Sequence, residues 1–539
     1  MRINCLVRPF DLQRLVTILL IFLLIIFVLF PVFRILLYPK LKDYMNMLSH
    51  PGSIRAIKHS FFIVPLSTLT VLCLGYIFAY AQHYTNMPGK KIFKFLALLP
   101  ILSPPFIIAL SWIMLFGPHG FITNFLGIRW NIFGWRGLWM VQSIAFFPYA
   151  YLLITGVLEG IDSNLEFAAG NLGAKGLRTF WSITLPLSSP GLVNAALMVA
   201  IYVFADFGNP ILIAGGWSVL PTEIYRRVIG YNDLKGAAAL CAVLLVPTLI
   251  LFLAARKVLS SRSYVTITGS AIKTEKPLVG GITKWLLFGF CSFFSLLILL
   301  VYGTLAVGAF TETWGINWSF TLKYWRVLRG SSGLSNSLLL ALLAGLGASF
   351  FSLFASCFIY KRRFVGKQFW DFITLLPTAI PGIFLGIGFL LAFNTPPFVL
   401  TGGLVIMVLS LLVWNIPLAY QANIATLEQI GPEIEEAALN LGASPMRAFG
   451  NINVPLLRTS LLSSFTMGFL RAATNLSIVI FLISPGQTTA TVQILASVRY
   501  AELGIAAVLA TTLFALALLI VGIMSFLTKK SMDMFVEVR

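Results

Sequence analysis

What most constrains this chain is the recurrence, from one end to the other, of apolar runs of about 18 to 26 residues. About 20 helical residues cross the ~30 Å hydrocarbon layer of a bilayer, so each run is long enough to span it. Twelve candidate spans result. Six lie near 15–33, 60–82, 95–116, 138–158, 190–214 and 237–255, and six near 285–310, 336–359, 369–393, 403–427, 459–483 and 504–527. The 539 residues are 58% apolar and 10% charged, against roughly 25% charged in soluble domains. A soluble fold is excluded, and the class expected is an all-α polytopic membrane protein.

The run from Leu15 to Phe33 follows Arg2, Arg8 and Arg14, as in a secretory signal. It is too long for a signal core and lacks a small-residue cleavage site, so it is expected to be a retained span. Cys5, Cys73, Cys241, Cys291 and Cys357 show no metal-ligand spacing, and four of the five lie inside apolar runs as small buried residues. Neither a metal site nor a cofactor is expected. The net charge of +20 would suggest a nucleic-acid partner for a soluble chain, but here the basic residues sit between spans. With a cytoplasmic N-terminus, 23 of the 38 Lys and Arg residues fall inside, 14 outside, and Arg471 within a span. The positive-inside rule favours that orientation, with both termini cytoplasmic. Arg34, Lys40, Lys42, Arg55 and Lys58 in the first outer loop run against it, which suggests that part of this stretch lies at the interface.

Internal similarity is the stronger signal. Glu159 to Pro186 overlays Glu428 to Pro455 at an offset of 269 residues, with 13 of 28 positions identical. Each copy follows the fourth span of its half, so an even number of crossings separates them and both face the same side. The chain therefore reads as two parallel repeats of six helices, residues 1–255 and 285–539, joined by a polar, basic cytoplasmic linker at 256–284.

The duplicated segment reads as a short helix, a glycine turn and a second helix leading to a proline before the next span. Ser163 and Glu166 have capping-box spacing, and Pro432 suits the first helical turn of the second copy. Ala168-Ala169 and Ala437-Ala438 allow close approach of another surface, and Gly173 and Gly442 can take the conformation that ends the helix. One such loop could be an ordinary surface helical hairpin, but two matched copies on one face read as docking elements.

Glu436-Ala437-Ala438, then three residues, Gly442, then nine residues and Ile452-Asn453-Val454-Pro455, resembles the EAA loop of the permeases of binding-protein-dependent type I ABC importers. Phe167-Ala168-Ala169, Gly173 and Ile183-Thr184-Leu185-Pro186 have the same spacing. The resemblance implies two coupling helices, each seated on one copy of a separate ATPase subunit, with an extracytoplasmic binding protein delivering cargo to a bacterial inner membrane. It implies coupling roles for Glu166, Phe167, Ala168, Ala169 and Gly173 and for Glu435, Glu436, Ala437, Ala438 and Gly442. ATP-driven closure of the ATPase pair would rock the halves between inward-open and outward-open states. No G-x-x-x-x-G-K-[ST] phosphate loop occurs in the chain, consistent with a non-enzymatic transport subunit. Phe167 stands where the family has Glu, and Glu166 either substitutes for it or only caps the helix.

Charges within spans face a cavity or a partner. Asp206 in the fifth span matches Asn475 at the repeat offset, and Arg471 in the eleventh matches Tyr202. These four residues are the candidate translocation pathway. Asp206 and Arg471 either form an ion pair between the halves or line a gate or weak substrate site. The fused six-plus-six layout, Asp206-Phe207-Gly208 and Pro221-Thr222-Glu223-Ile224-Tyr225 resemble the ferric-iron importer permeases. Similar fused permeases serve thiamine, phosphonates and sugar phosphates. An ion-coupled secondary transporter would share the size and the repeat but would not need two docking loops. A membrane-embedded enzyme would need an H-E-x-x-H, a G-x-S-x-G or facing carboxylates, and none is found.

Overall fold

In hydrocarbon every backbone N–H and C=O must be paired within the protein, and the apolar runs meet that demand as helices. The computed structural model describes residues 12–127, 130–174, 176–260, 278–361, 364–396, 398–429 and 433–528. Helices α1 (Arg14–Leu37), α2 (Leu41–Ser49), α3 (Pro51–Tyr84), α4 (Lys90–Leu98), α5 (Pro105–Phe116) and α6 (Trp135–Glu159) open the chain. They are followed by α7 (Ser163–Asn171), α8 (Phe180–Ala205), α9 (Leu220–Tyr225) and α10 (Leu234–Val258). The second half runs through α11 (Gly281–Gly308), α12 (Ser332–Tyr360), α13 (Lys367–Thr378), α14 (Gly382–Ala392) and α15 (Leu404–Gln429). It ends with α16 (Glu433–Asn440), α17 (Arg458–Ala473), α18 (Ala490–Arg499) and α19 (Leu503–Leu527). Two short antiparallel hairpins lie outside the helices, at Thr311–Thr313 with Asn317–Phe320 and at Asn394–Thr395 with Phe398–Val399.

The fold class is as expected, but the spans are not twelve unbroken rods. Among the described residues ten helices are long and apolar enough to cross a membrane, or eleven if the pair α13 and α14, bent by 109°, counts as one span. The expected third and ninth spans both break. Each starts after a left-handed glycine, Gly89 (φ 75°) or Gly366 (φ 84°), and each is interrupted at Pro100-Ile101-Leu102-Ser103-Pro104 or Pro377-Thr378-Ala379-Ile380-Pro381. A proline lacks the N–H for the helical ladder and disfavours helix in the residue before it, so paired prolines stop the helix. Apolar residues on both sides hide such a break from hydropathy. The expected fifth and eleventh spans end early, at Ala205 and Ala473.

The stretch between the first two spans contains a short helix of its own. Helix α2 exposes Leu41, Met45 and Leu48 while burying Met47, and Arg55 and Lys58 belong to an N-terminal extension of α3. The helix beginning at Leu234 continues through Ser260, so the expected linker starts as helix; residues 261–277 lie outside the described set, as does Cys5. Cys241, Cys291 and Cys357 are buried, whereas Cys73 is exposed.

Each half is built on three mutually packed helices, α3, α6 and α8 in the first and α12, α15 and α17 in the second. Close packing in the second triad depends on glycine: a Cβ at Gly345 would sit 3.0 Å from the Phe469 nitrogen, and one at Gly468 3.3 Å from the Gly345 Cα. Small residues let helix backbones approach where the surrounding lipid supplies no hydrophobic drive. The opening helix of each half crosses to the other half. Helix α1 packs on α12, α14 and α15, with Phe27 and Phe30 against Phe393. Reciprocally, α11 packs on α3, α4 and α5, with Phe294 between Phe78 and Phe147 and Tyr302 hydrogen-bonded to Ser103 at 2.6 Å.

Candidate coupling loops and translocation pathway

The two duplicated loops fold alike. In the first, α7 is capped by Asp162, whose carboxylate accepts from the Asn164 backbone N–H at 2.9 Å. The cap is therefore one residue earlier than the expected Ser163 and Glu166 box. The helix ends at Gly173 (φ 88°), with the Ala174 N–H donating to Ala169 and the Gly173 N–H to Gly170. In the second, α16 ends at Gly442 (φ 85°), with Ala443 donating to Ala438 and Gly442 to Leu439. These paired bonds close the helix C-terminus around a left-handed residue, which explains the glycine at each turn. Pro432 lies outside the described residues, and Glu435 lies on α16.

The segments beyond the two turns are matched as well. A π-helical turn covers Phe180–Thr184 in one half and Phe449–Asn453 in the other. Pro186 and Pro455 cannot donate, and their rings push on the carbonyl four residues back, Ser182 and Asn451. Those carbonyls fall inside the π turns, so the proline accounts for the wide turn.

The outer surface of the loops is apolar and unpartnered among the described residues. Leu165 and its repeat mate Ile434 are each 50% exposed, and Leu172 and Leu441 are 90% and 89% exposed. Phe167 is 44% exposed, Ala168, Glu436 and Ala437 are exposed, and Ala438 is half-buried. Matched exposed leucines at the ends of two short helices suit insertion into a groove on another protein. Motif spacing did not single out Leu172 and Leu441, although their place before the helix-ending glycine could have marked them.

Glu166 does not face out with them. It is 1% exposed, and its Oε1 accepts from Tyr84 Oη at 2.7 Å and from Thr184 Oγ1 at 2.8 Å. The carboxylate thus ties α7 to the end of α3 and to the start of the helix that follows. It is buried, not an exposed ionic contact, and the residue at the N-cap of α7 is Asp162. In the second half the residue equivalent to Thr184, Asn453, accepts from Lys361 Nζ at 3.4 Å at the end of α12.

At the other ends of α8 and α17 the pathway candidates separate into two groups. Asp206 is buried and accepts from Gln142 Nε2 at 2.9 Å, from Asn209 Nδ2 at 3.0 Å and from the Asn209 backbone N–H at 3.3 Å. Gln142 in turn accepts from Ser67 Oγ at 2.9 Å. Asn475 repeats the pattern, its Oδ1 accepting from the Ile478 N–H at 2.9 Å. Both side chains therefore cap a short helical segment beyond a helix break, three residues on in each half, and this explains why the spans end there. Arg471 makes no ion pair with Asp206. Its guanidinium lies 5.3 Å over the Trp414 ring, while the rings of Tyr149 and Tyr202 meet at 4.8 Å. Arg471 thus pairs with Trp414 of its own half, and Tyr202 with Tyr149 of the other. All four are partly exposed. Cation–π pairing supplies a partner for Arg471 that charge patterning could not reveal.

Residues 71–263 and 348–531 each match the family described as binding-protein-dependent transport system inner membrane component. The chain is 30% identical over 482 residues to the putative ferric transport system permease protein FbpB 1 of Haemophilus influenzae, covering 84% of this chain and 76% of that protein. It is also 30% identical over 469 residues to the ferric transport system permease protein FbpB of Actinobacillus pleuropneumoniae, covering 84% and 68%. The molybdenum transport system permease protein ModB of Escherichia coli matches 35% of this chain, at 30% identity over 197 residues that make up 86% of ModB. With two matching segments, a duplicated helix-and-glycine-turn loop and a membrane-spanning helical fold, the chain belongs to the binding-protein-dependent family of ABC importer inner-membrane permeases.

Proposed function

We propose that this protein is the fused, two-half permease of a ferric-iron importer. The observation that carries the reading is the paired coupling loops, alike in turn geometry and in exposed leucines, on a chain that aligns over most of its length with two ferric transport permeases. In this reading α7 and α16 each seat in a groove on one of two ATPase subunits, which hydrolyse the ATP. Phe167, Ala168, Ala169 and Gly173 on one side, and Glu435, Glu436, Ala437, Ala438 and Gly442 on the other, make or shape those contacts. Glu166 acts from inside, linking α7 to α3. Both termini and both loops face the cytoplasm, and the halves comprise residues 1–255 and 285–539. An extracytoplasmic binding protein delivers the cargo.

Cargo passes between the halves beside Tyr149, Tyr202, Trp414 and Arg471, while Asp206 and Asn475 hold the helix breaks that shape the passage. A cationic and aromatic lining suits a permease that lets its cargo through without chelating it. The test is uptake of radiolabelled ferric iron by cells carrying or lacking the gene, with the cognate ATPase and binding protein present in both. Uptake lost on deletion and restored by the intact gene is expected. Unchanged iron uptake would remove iron as cargo while leaving the importer assignment intact.

A further inference from the structure

Helices α8 and α17 lead away from the two coupling loops, so the segments beyond them, 206–233 and 474–502, lie at the opposite end of the bundle. There a cavity of about 280 Å³ opens between the halves, with Tyr225 and Arg226 contributed by the first and Arg499 by the second. Arg499 Nη1 donates to Tyr225 Oη at 3.0 Å, and its guanidinium lies 5.1 Å over the same ring. The phenol accepts in that bond, which leaves its own hydrogen to donate.

The charges around the cavity do not cancel. Arg226 lies 3.3 Å from Glu223, but Glu223 also faces Arg227 at 3.7 Å, and Arg227 pairs with Asp233 at 2.7 Å. Three arginines, counting Arg499, thus meet two carboxylates. Arg499 is exposed and has no carboxylate within ion-pair distance among the described residues. Guanidinium groups present a planar fork of donors that matches oxyanions, and two of them lining one cavity with a phenolic donor form a receptor for one.

We propose that this cavity binds a small oxyanion of the phosphate or sulfate class, held between Arg226 of one half and Arg499 of the other, with the Tyr225 hydroxyl as a third donor. The cavity has room for a hydrated anion. Because its two cations sit on different halves, an occupied site favours the arrangement in which the halves approach each other at this end. The anion is therefore a ligand of one transport state. The proposal depends on the placement of these residues and not on iron as cargo.

The experiment uses the full chain in lipid nanodiscs without ATPase, binding protein or iron. Inorganic phosphate and sulfate are titrated against chloride at constant ionic strength, read by equilibrium binding of labelled phosphate and by thermal unfolding. Saturable binding is expected, weakened about tenfold by Arg499→Gln and by Arg226→Gln and unaffected by Arg326→Gln at an exposed position elsewhere. Arg499→Lys, which keeps the charge and loses the fork, is expected to fall between and serves if the glutamine variant fails to fold. No saturable binding, or equal binding in Arg499→Gln, overturns the proposal. Iron uptake is measured separately, so failure of one reading is distinguishable from failure of the other.

Discussion

At Glu166 residue type and position pull in different directions. Its spacing suggests a cap or a substitute ionic contact beside Phe167, yet burial turns it into an internal acceptor for two hydroxyls, those of Tyr84 and Thr184. Glu166→Ala leaves both without that partner in a buried site, at a cost of about 1–3 kcal/mol. The variant is expected to unfold at lower temperature in detergent, with Glu166→Gln less affected. Glu436→Ala, at an exposed position, should leave unfolding unchanged while lowering uptake. Equal loss of stability in the Glu166 and Glu436 variants would contradict this division. Asp206 was ambiguous for a related reason. Its partners Gln142 and Ser67 come from distant parts of the chain, so no local pattern could distinguish a backbone cap from a pathway charge.

The proposed coupling helix is an element whose ending matters more than its interior. At Gly442 an added Cβ would meet nothing within 4 Å, so a substitution there is opposed by the left-handed backbone and not by crowding. Gly442→Val should cost about 1–2 kcal/mol locally and re-aim Leu441, with uptake falling by more than tenfold while the amount of protein in the membrane is unchanged. Uptake at the normal level would show that the turn does not transmit force. The loops were legible in the sequence because their signals are local: alanine pairs, a helix-ending glycine, and a proline at constant spacing. The breaks in the third and ninth spans were not, because hydropathy sums over a window and stays high across Pro100 to Pro104 and Pro377 to Pro381. Two prolines four residues apart, repeated in both halves, were the available sign.

At the scale of the whole molecule, the class, the repeat and most spans can be read from apolar run length and from one offset. Packing between the halves cannot, because it depends on which helix faces which. One tie across that boundary is the ion pair from Arg256 to Asp371 at 2.7 Å, reinforced by Tyr420 donating to Asp371 at 2.9 Å. Arg256 is partly exposed, so its removal should cost only about 1–2 kcal/mol. A double-mutant cycle of Arg256→Ala with Asp371→Asn, read by thermal unfolding, should show the two changes to be non-additive. The exchange of opening helices has a consequence for synthesis. Helix α1 is made before the rest of the bundle, but most of the surface it packs against, on α12, α14 and α15, is made only after some three hundred further residues have been translated. Until then α10 covers only part of its buried face, and lipid or the insertion machinery must cover the rest. The chain cannot finish its first half before its second, and the ribosome is well past the midpoint before either half has its full set of neighbours.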